Sequence, residues 1–585
     1  MLMTMIIRVI FLVFLYVGRA YSQESLMIDC GGGGDGMWQS DDDFIKTGIN
    51  SQVQDLGANW GREMDSLRLF PDQSKSCYTL PAKTKQKYLI QAGFFYGNYD
   101  GRGFPPSFDL QFDGNSWASV YTTQGSPSFK EAIVFAKRDN ISVCVARSLG
   151  LNDQIPFIST LVLVTLPSSM YSAMTSGSAL VLESRVNFGS PYNIWIPEDI
   201  YSRIWTPDES GQLYRNVTAP ELTNLADLAD APPSSMMTSA IEALNSSESL
   251  KFYYVLHEPQ WLVYVNLYFT EASASSSKRL FDVYIDGENM NLNLSLQYKM
   301  GKEVSLTLRR RNYFFNLTLV SRNGSSLPPT ICGIELFSVK EDLTNGTSEE
   351  DVQGLQQLTN NWKQLRGWAG DPCLPTSYTA WDWISCSDSN PPRVIALYLG
   401  SHGLGGPIVD FSQLQALDAI DLHNNSLSGP VPDFLGKLPR LDFLDLSNNQ
   451  LSGTVPKSIT KNKQISLRIA GNPQLRYREK KNIGLIVGLS VGGAVLVLLV
   501  VCGVVFFVLP RLNKRRENEG ATVEPDGAIP EAASSAGPRG PSAVAEGNDQ
   551  FEEVSEEFRK QMEVDVEDLL GRPGSHSSDD DSYRG

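Results

Sequence analysis

Four aspartates in two similar stretches are the residues of this chain best placed to do chemistry. Residues 107–117 read SFDLQFDGNSW and residues 279–290 read RLFDVYIDGENM. Glycoside hydrolysis uses two carboxylates that face each other across a sugar bond. In both stretches, however, the second aspartate precedes a glycine, and Asp-Gly favours a tight hairpin. We therefore interpret the aspartates as turn and strand-edge residues, while the sequence alone leaves a catalytic pair open. The four are Asp109, Asp113, Asp282 and Asp286.

Other catalytic patterns are weak or missing in this sequence. Gly31, Gly33 and Gly36 match the spacing of a dinucleotide-binding loop, but Trp38 and three aspartates follow where a phosphate-binding helix would begin. The four histidines are scattered, without the paired spacing of a zinc site. The lysine, His-Arg-Asp and Asp-Phe-Gly motifs of a protein kinase do not occur. We expect no catalytic residue, no metal, no cofactor and no enzymatic activity.

A loop that leaves an apolar strand carries a candidate ligand site. Tyr96, Tyr99 and Asp100 lie close together after the run YLIQAGFF. Sugars are held by aromatic faces together with a few polar groups, and such sites form on loops. The alternative is that both tyrosines only pack or form local hydrogen bonds.

The cysteines indicate an oxidising compartment. Six of the seven precede residue 400, an even number, whereas Cys502 lies alone in an apolar run. Cys373 and Cys386 are close enough in sequence to form a disulfide that fastens a terminal cap onto a repeat array. We predict that they pair. In the chain-entropy model a loop of this size adds ~3 kcal/mol to the free energy of unfolding. The pairing of Cys30, Cys77, Cys144 and Cys332 is left open.

Eight Asn-x-Ser/Thr sequons precede the apolar run at 483–509, and none follows it. This partition favours an extracellular location for the preceding residues. The predicted glycosylation sites are Asn140, Asn216, Asn245, Asn293, Asn316, Asn323, Asn345 and Asn424.

Two apolar segments determine which parts of the chain are expected on each side of a membrane. Residues 483–509 are 27 residues without a charged side chain, long enough to cross a bilayer as a helix. Basic residues flank both of its ends and nearly cancel the positive-inside bias. Orientation comes from the N-terminus, where Arg8, an apolar core and Ala20-Tyr21-Ser22 are typical of a secretory signal. We predict a single-pass protein with its N-terminus outside.

Residues 510–585 are predicted to be a disordered cytoplasmic tail. Residues 517–585 contain 18 acidic and 5 basic residues, and a Pro/Gly/Ala/Glu-rich composition cannot bury a core. Asp565, Leu569 and Leu570 resemble an acidic dileucine sorting signal. No basic face exists to neutralise phosphates, so we expect no nucleic acid partner.

Glycines along the apolar segment indicate a helix contact. Gly484, Gly488 and Gly492 recur every four residues, which places them on one helix face. Small residues at this spacing allow another membrane helix to approach closely. We predict association with a second copy or with a partner receptor.

The region from residue 26 to about 340 reads as all-β, in short Val/Ile/Tyr/Phe-rich runs broken by Gly-Asn, Asp-Gly and Pro-Pro turns. Its second half repeats the first. The run WLVYVNLYFTE before RLFDVYIDGENM echoes KYLIQAGFFYGNYD before SFDLQFDGNSW. Packed antiparallel sheets in two related lobes follow from this pattern.

Leucine-rich copies follow the β region. LDAIDLHNNSLSGPVP and LDFLDLSNNQLSGTVP are offset by 24 residues, and a first copy precedes them by 23. This period predicts one strand and turn of a solenoid per copy. Leu422 and Leu446 should point inward, and Asn425 and Asn449 should pair with backbone groups. Before the copies, Ser348 is expected to cap a helix together with Asp351.

Several ordered motifs resemble the tandem malectin-like region of plant receptor-like proteins and kinases. They are IDCGG, W-x-x-D-x-x-F at 38–44, GNYDG, ISVCVAR, EDIYSRIW and LPPTICGIELF. GDPC at 370–373 resembles the junction between malectin-like lobes and leucine-rich repeats in symbiosis-type receptor kinases. The resemblance implies two carbohydrate-binding-like β-sandwich lobes. By similarity to animal malectin, Tyr96 and Asp153 match its binding residues best.

These observations together predict an all-β tandem malectin-like pair of β-sandwich lobes, a short α/β leucine-rich-repeat solenoid, a single transmembrane helix and a disordered tail. The predicted divisions are a signal peptide at 1–22, lobe 1 at 23–190, lobe 2 at 191–340, a linker with GDPC and cap at 341–392, repeats at 393–476, a membrane helix at 483–509 and a tail at 510–585.

The order of signal, malectin-like lobes, GDPC, repeats, membrane helix and a tail without kinase motifs favours a plasma-membrane receptor-like protein that lacks a kinase. It would recognise a cell-wall carbohydrate or a secreted peptide or protein, and act through a receptor kinase or co-receptor in the membrane. A second hypothesis is a cell-wall polysaccharide-binding tether or sensor whose tail directs membrane trafficking. A carbohydrate-active wall enzyme is a distant third.

Overall fold

The computed structural model describes residues 25–55, 61–151, 153–208, 213–257, 262–274, 277–310, 313–375, 380–477 and 495–499. The chain divides into two compact units, residues 1–480 and 481–585. The first unit contains all of the β structure given below.

The first lobe is built from twelve strands. They are β1 (Ser25–Asp29), β2 (Gln39–Ser40), β3 (Ile49–Gln52), β4 (Ser66–Leu69), β5 (Lys75–Pro81), β6 (Lys87–Phe94), β7 (Ser107–Phe112), β8 (Asn115–Tyr121), β9 (Ser128–Phe135), β10 (Asn140–Ala146), β11 (Phe157–Ile158) and β12 (Thr160–Leu166).

The second lobe follows β13 (Ala179–Asn187). Its strands are β14 (Thr206–Pro207), β15 (Arg215–Thr218), β16 (Ser239–Glu242), β17 (Ser249–Val255), β18 (Leu262–Thr270), β19 (Leu280–Ile285), β20 (Glu288–Asn289), β21 (Leu294–Ser295), β22 (Gly301–Arg309), β23 (Phe314–Ser321), β24 (Thr330–Ile331) and β25 (Gly333–Lys340). A short helix, α1 (Ser234–Met237), precedes β16.

One sheet runs through both lobes. Its order is β2-β1-β12-β6-β9-β13-β25-β18-β22, and β14 pairs with β13. The predicted lobe boundary after residue 190 follows β13, a strand that pairs with β9 at two positions and with β25 at eight. The two lobes therefore share a continuous hydrogen-bonded sheet, a connection between them that the sequence pattern did not indicate.

Each lobe packs a second sheet on this shared sheet. The second sheet of lobe 1 is β5-β10-β7-β8, and that of lobe 2 is β17-β23-β19-β20 with β21 beside β19. The shared sheet is covered on both faces at β6, which is buried at every position, whereas its edge strand β22 has several exposed residues. Two sandwich cores result, one in each lobe.

The predicted Asp-Gly hairpins form at equivalent places in the two lobes. Asp113 and Asp286 adopt positive φ angles of 45° and 50°, as a tight primed turn requires. The Asp113 carboxylate accepts a hydrogen bond from the Ser142 backbone N–H at 2.8 Å. The Asp286 carboxylate accepts one from the Asn316 N–H at 2.9 Å. The repeated aspartates thus tie each hairpin to the neighbouring strand.

A helical cap links lobe 2 to the repeats. Its helix, α2 (Glu349–Asn361), buries Leu355 and Leu358 against the first repeat. The predicted capping box is wrong. Ser348 lies at the N-cap position but donates to the Glu350 carboxylate, and Asp351 instead accepts from the Arg393 guanidinium at 2.8 Å.

The repeats form the expected solenoid. Its strands are β26 (Ile384–Cys386), β27 (Val394–Tyr398), β28 (Gly405–Gly406), β29 (Ala419–Asp421), β30 (Ser426–Pro430), β31 (Phe443–Asp445), β32 (Gln450–Thr454), β33 (Ser466–Arg468) and β34 (Gln474–Arg476), with α3 (Lys457–Lys461) before β33. They stack in the orders β26-β27-β29-β31-β33 and β28-β30-β32-β34. Parallel pairing joins successive copies.

Asparagines hold this stack together, as predicted. The Asn425 amide donates to the Leu399 carbonyl at 2.8 Å, and Asn449 donates to the Leu422 carbonyl at 2.9 Å. The weak last copy continues the pattern through Asn472, which donates to the Leu446 carbonyl at 2.8 Å. Leu422 and Leu446 are fully buried, which confirms their inward orientation.

The predicted signal peptide and cytoplasmic tail lie outside the described residues. Of the predicted membrane helix, residues 495–499 are described and are helical. In the part of the chain that the structure describes, no helix is long and apolar enough to span a bilayer.

Candidate functional site

The predicted loop site lies at the end of β6, but its tyrosines point into lobe 1. Tyr96 is fully buried, and its hydroxyl donates to Asp100 Oδ1 at 2.5 Å. Burial and this carboxylate raise the pKa of Tyr96 to about 12. The Tyr99 ring packs edge-on against Tyr96 and also contacts Phe157, with centroids 5.4 Å apart in each pair. With its ring buried against Tyr99, Tyr96 has no free face to offer a sugar.

Asp153 is exposed on the loop between β10 and β11. The ligand-binding role assigned to Tyr96, Tyr99, Asp100 and Asp153 stays a prediction. The aspartates considered for hydrolysis are held within their own sheets, since Asp109 accepts from the Ser119 hydroxyl at 3.0 Å and Asp282 lies 3.7 Å from Arg322. No cluster of three or more His, Cys, Asp or Glu side chains among the described residues could hold a metal ion.

An apolar cleft of about 210 Å³ opens on the outer face of the shared sheet. We call it the interlobe cleft, because lobe 1 supplies its floor and the segment connecting the lobes (residues 188–205) supplies one wall. Its lining residues are Met27, Met37, Trp38, Gly61, Glu63, Met64, Gln91, Phe129, Thr160, Val162, Trp195, Ile196, Ser202 and Ile204. A concave, mostly apolar cleft with a few polar groups is the usual form of a ligand site.

The polar groups of the interlobe cleft are few and fixed. Gln91 donates from Nε2 to the Ser202 carbonyl at 3.1 Å, which ties the sheet to the connecting segment. Glu63 is half-buried, and burial raises the pKa of its carboxyl group. Among the described residues no cation forms an ion pair with Glu63. Trp195 is 37% exposed at the opening. The cleft therefore combines an indole, an apolar floor and one carboxyl group.

A buried ionic network holds the wall of this cleft. Arg185 on β13 binds Glu131 of β9 at 2.5 Å and Glu335 of β25 at 2.7 Å. Arg203, fully buried in the connecting segment, binds Asp199 at 2.9 Å. Removing one partner of a buried ion pair typically costs 3–5 kcal/mol, because the other charge is left uncompensated. The network thus fixes the connecting segment relative to both lobes.

The network explains the EDIYSRIW motif of residues 198–205. Asp199 accepts hydrogen bonds from Arg203 Nε at 2.9 Å and from the Trp205 indole at 2.7 Å. Arg203 also donates to the Asp230 carbonyl at 2.8 Å. The motif is structural: it positions Ser202 and Ile204 in the cleft wall.

A second structured region is the junction between lobe 1 and the repeat cap, built around Asp371 of the GDPC motif. Its carboxylate accepts four hydrogen bonds, from the Thr347 N–H at 2.7 Å, the Thr347 hydroxyl at 2.6 Å, and the N–H groups of Cys373 and Leu374 at 3.0 Å each. Cys373 forms a disulfide with Cys386, and Cys77 of β5 forms one with Cys144 of β10.

Gly370 and Lys75 complete the junction. Gly370 has a φ of 75°, and a Cβ there would lie 2.4 Å from Cys77 Sγ. Lys75 on β5 donates to the carbonyls of Asp371 at 2.6 Å and Leu374 at 2.9 Å. Burial lowers the pKa of Lys75 to about 8, although the Asp371 and Asp382 carboxylates oppose the shift. Lobe 1 and the cap are therefore joined by direct, buried contacts.

Cys30 and Cys332 remain as buried thiols in separate clusters. The sequence left the pairing of Cys30, Cys77, Cys144 and Cys332 open, and in the structure only Cys77 and Cys144 of these four are paired. Sequence reasoning also missed the interlobe cleft. Its only signal was the presence of tryptophans at 38 and 195 beside the IDCGG and EDIYSRIW motifs.

Comparison with known proteins identifies both regions of the first unit. The malectin-like domain model matches residues 28–339, more than half of the chain, and the leucine-rich repeat model matches residues 416–438 and 440–462. A probable LRR receptor-like serine/threonine-protein kinase of Arabidopsis thaliana is 32% identical over 390 residues, covering 63% of this chain and 44% of the relative. A second one, PAM74, is 31% identical over 390 residues, covering 63% and 42%.

The chain thus spans less than half the length of these curated relatives. Among solved structures, the extracellular domain of ANXUR1 from Arabidopsis thaliana aligns with a TM-score of 0.48 and 16% identity, covering 54% of this chain and 97% of that one. The complex of the plant peptide RALF23 with FER and LLG2 aligns with a TM-score of 0.48 and 16% identity, covering 55% and 96%.

Proposed function

Because the chain belongs to the malectin-like family, and carries leucine-rich repeats behind the malectin-like region, we propose that it is a cell-surface receptor-like protein that recognises an extracellular ligand and acts through a partner receptor. The interlobe cleft is the observation that carries this proposal. It is concave and apolar, and a buried ionic network holds the connecting segment that forms one of its walls. A preorganised cleft loses less ordering entropy on binding.

The proposed location is the plasma membrane, with lobes and repeats outside and the tail in the cytosol. The signal-like N-terminus, the apolar run at 483–509 and the distribution of sequons support this orientation. The face of Gly484, Gly488 and Gly492 is proposed to contact a partner receptor or a second copy. Asp565, Leu569 and Leu570 are proposed as a sorting signal in the tail.

We propose recognition rather than catalysis for the malectin-like lobes. The aspartates that could have formed a hydrolytic pair are committed to turn and strand hydrogen bonds. The GDPC junction bears on how ligand binding could reach the repeats. Since Lys75, Asp371 and Gly370 join lobe 1 tightly to the cap, ligand contact in the lobes would be transmitted to the repeats as a rigid unit.

The test uses the secreted ectodomain, residues 23–477, incubated with a panel of cell-wall polysaccharides and of secreted peptides. Retention of a peptide or protein supports the receptor hypothesis. Retention of a polysaccharide supports the tether hypothesis, and turnover of one supports the enzyme. Loss of a cleft side chain then locates the site.

Trp195→Ala tests whether the ligand binds in the interlobe cleft. An aromatic anchor at a binding site is typically worth about 2 kcal/mol, so we expect roughly 30-fold weaker binding. Tyr192→Ala is the matched control, because Tyr192 is 76% exposed and does not line the cleft. Equal affinity of the Trp195 variant and the control would place the ligand site outside the interlobe cleft.

A further inference from the structure

A second, larger cleft lies between lobe 1 and the helical cap. Its volume is about 570 Å³. Lobe 1 contributes Arg138 and Ser142, and the cap contributes Gln353 and Gln356 of α2 together with Arg366 and Trp368. We call it the junction cleft. In contrast to the interlobe cleft, its lining includes many amide, guanidinium and hydroxyl groups, together with the carboxylates of Asp113, Glu349 and Asp371.

Two of the eight sequon asparagines line this one cleft. Asn140 is the first residue of β10, and Asn345 lies in the segment between β25 and α2, which Lys137 of lobe 1 binds through the Leu343 and Thr344 carbonyls. Both are exposed. Asn345 Oδ1 accepts from Lys137 Nζ at 3.3 Å, which orients the side-chain amide. Among the described residues, neither Asn140 nor Asn345 uses its Nδ2, the atom that carries an N-linked sugar, in a hydrogen bond.

The cleft has the chemistry of a saccharide site. Side-chain amides and guanidinium groups match sugar hydroxyls as donors and acceptors, and an indole offers an apolar face. Trp368 is the outermost of three packed indoles: its centroid lies 6.0 Å from that of Trp381, which lies 5.5 Å from that of Trp383. The inner two are buried, whereas Trp368 is half-buried and faces the cleft.

We propose that N-linked glycans on Asn140 and Asn345 occupy the junction cleft and brace lobe 1 against the repeat cap. The inference rests on the proposed extracellular location, because glycosylation requires passage through the secretory pathway. A glycan attached at the rim has a high effective concentration in the cleft, so even weak contacts with Trp368 and the α2 amides keep it bound.

The first experiment measures glycan accessibility on the full chain purified from cultured animal cells. Glycopeptide mapping gives the occupancy of each sequon, and peptide N-glycosidase digestion of the native protein gives the release rate at each site. Glycans that must leave the cleft before cleavage should be released at least about tenfold more slowly at Asn140 and Asn345 than at Asn245 and Asn293. After denaturation the rates should converge. Trp368→Ala should speed native release at Asn140 or Asn345 without changing Asn245.

The second experiment measures the junction itself. Asn140→Gln combined with Asn345→Gln should increase hydrogen exchange of the α2 amides, whereas Asn245→Gln combined with Asn293→Gln should not. Native release of the Asn140 and Asn345 glycans at the control rate would overturn the proposal, and so would empty sites at 140 and 345 beside an occupied Asn245. An entirely unglycosylated chain would instead contradict the extracellular location on which the proposed function depends.

Discussion

Buried side chains carry most of the motifs by which the family can be recognised. Asp41, in the W-x-x-D-x-x-F motif, binds Arg68 at 2.6 Å and accepts from the Tyr78 hydroxyl at 2.8 Å. Asp199 and Asp371 have equivalent roles in the connecting segment and in the junction. Leaving such a carboxylate unpaired costs several kcal/mol, which restricts the residue type at each position. These motifs therefore identify the fold, and they do not indicate where a ligand binds.

Tyr96 shows the limit of reading a site from residue type. Tyrosines beside an aspartate on a loop suggest a sugar site, but the same residues satisfy one another when the loop folds inward. Whether an aromatic ring faces solvent depends on the packing of distant strands, here through Phe157. A single sequence does not contain that information in its local pattern.

Gly370 allows a sharp test of the junction at the residue scale. Gly370→Ala places a methyl group on the Cys77–Cys144 disulfide and also imposes an unfavourable positive φ. We expect the free energy of unfolding to fall by about 3 kcal/mol, as is common for overpacking combined with backbone strain. Guanidinium denaturation of the ectodomain measures this change.

Gly125→Ala is the matched control for Gly370→Ala. Gly125 has a φ of 79° but no atom within 4 Å of its Cβ position, so only the backbone cost of about 1–2 kcal/mol applies. If the free energy of unfolding falls by the same amount in both variants, the close contact between Gly370 and the disulfide does not contribute to the loss of stability in Gly370→Ala.

At the scale of elements, the repeated patterns were predictable and the way they join was not. The hairpins at Asp113 and Asp286 and the asparagine ladder follow from local turn and spacing rules. The order β9-β13-β25 in the shared sheet is a long-range pairing, and no local pattern in β13 distinguishes its two neighbours. The interlobe cleft depends on that pairing, so the sequence could not reveal it.

A carboxyl pair beside the shared sheet predicts a pH effect on stability. Burial and the neighbouring Asp230 carboxyl group raise the pKa of Glu303 to about 7. The folded protein therefore holds a proton that the unfolded chain releases between pH 4.5 and 7. Stability from this group is present at low pH and is lost as the pH rises through about 7.

Glu303→Gln should remove this dependence. We expect the melting temperature of the parent protein, relative to that of the variant, to fall as the pH rises from about 5 to about 7.5. Glu288→Gln, at an exposed position of the same lobe, should leave the pH profile unchanged. A Glu303 variant with the parent profile would show that the pKa of Glu303 is not raised in the folded protein.

At the scale of the whole molecule, two malectin-like lobes, a cap and a repeat stack form one unit, with an apolar run and an acidic tail beyond it in sequence. The buried contacts of Lys75 join lobe 1 directly to the GDPC segment that precedes the repeats. Under the proposed function, this unit would present the lobes and the repeats to a partner as one surface.

Membrane topology tests this proposed function most directly. One epitope tag follows residue 22 and a second follows Gly585 in the full chain expressed in plant cells, and antibodies are applied before and after permeabilisation. We predict that the first tag is labelled on intact cells and that the second is labelled only after permeabilisation. Labelling of the second tag on intact cells, or of the first only after permeabilisation, would contradict an extracellular recognition unit joined to a cytosolic tail.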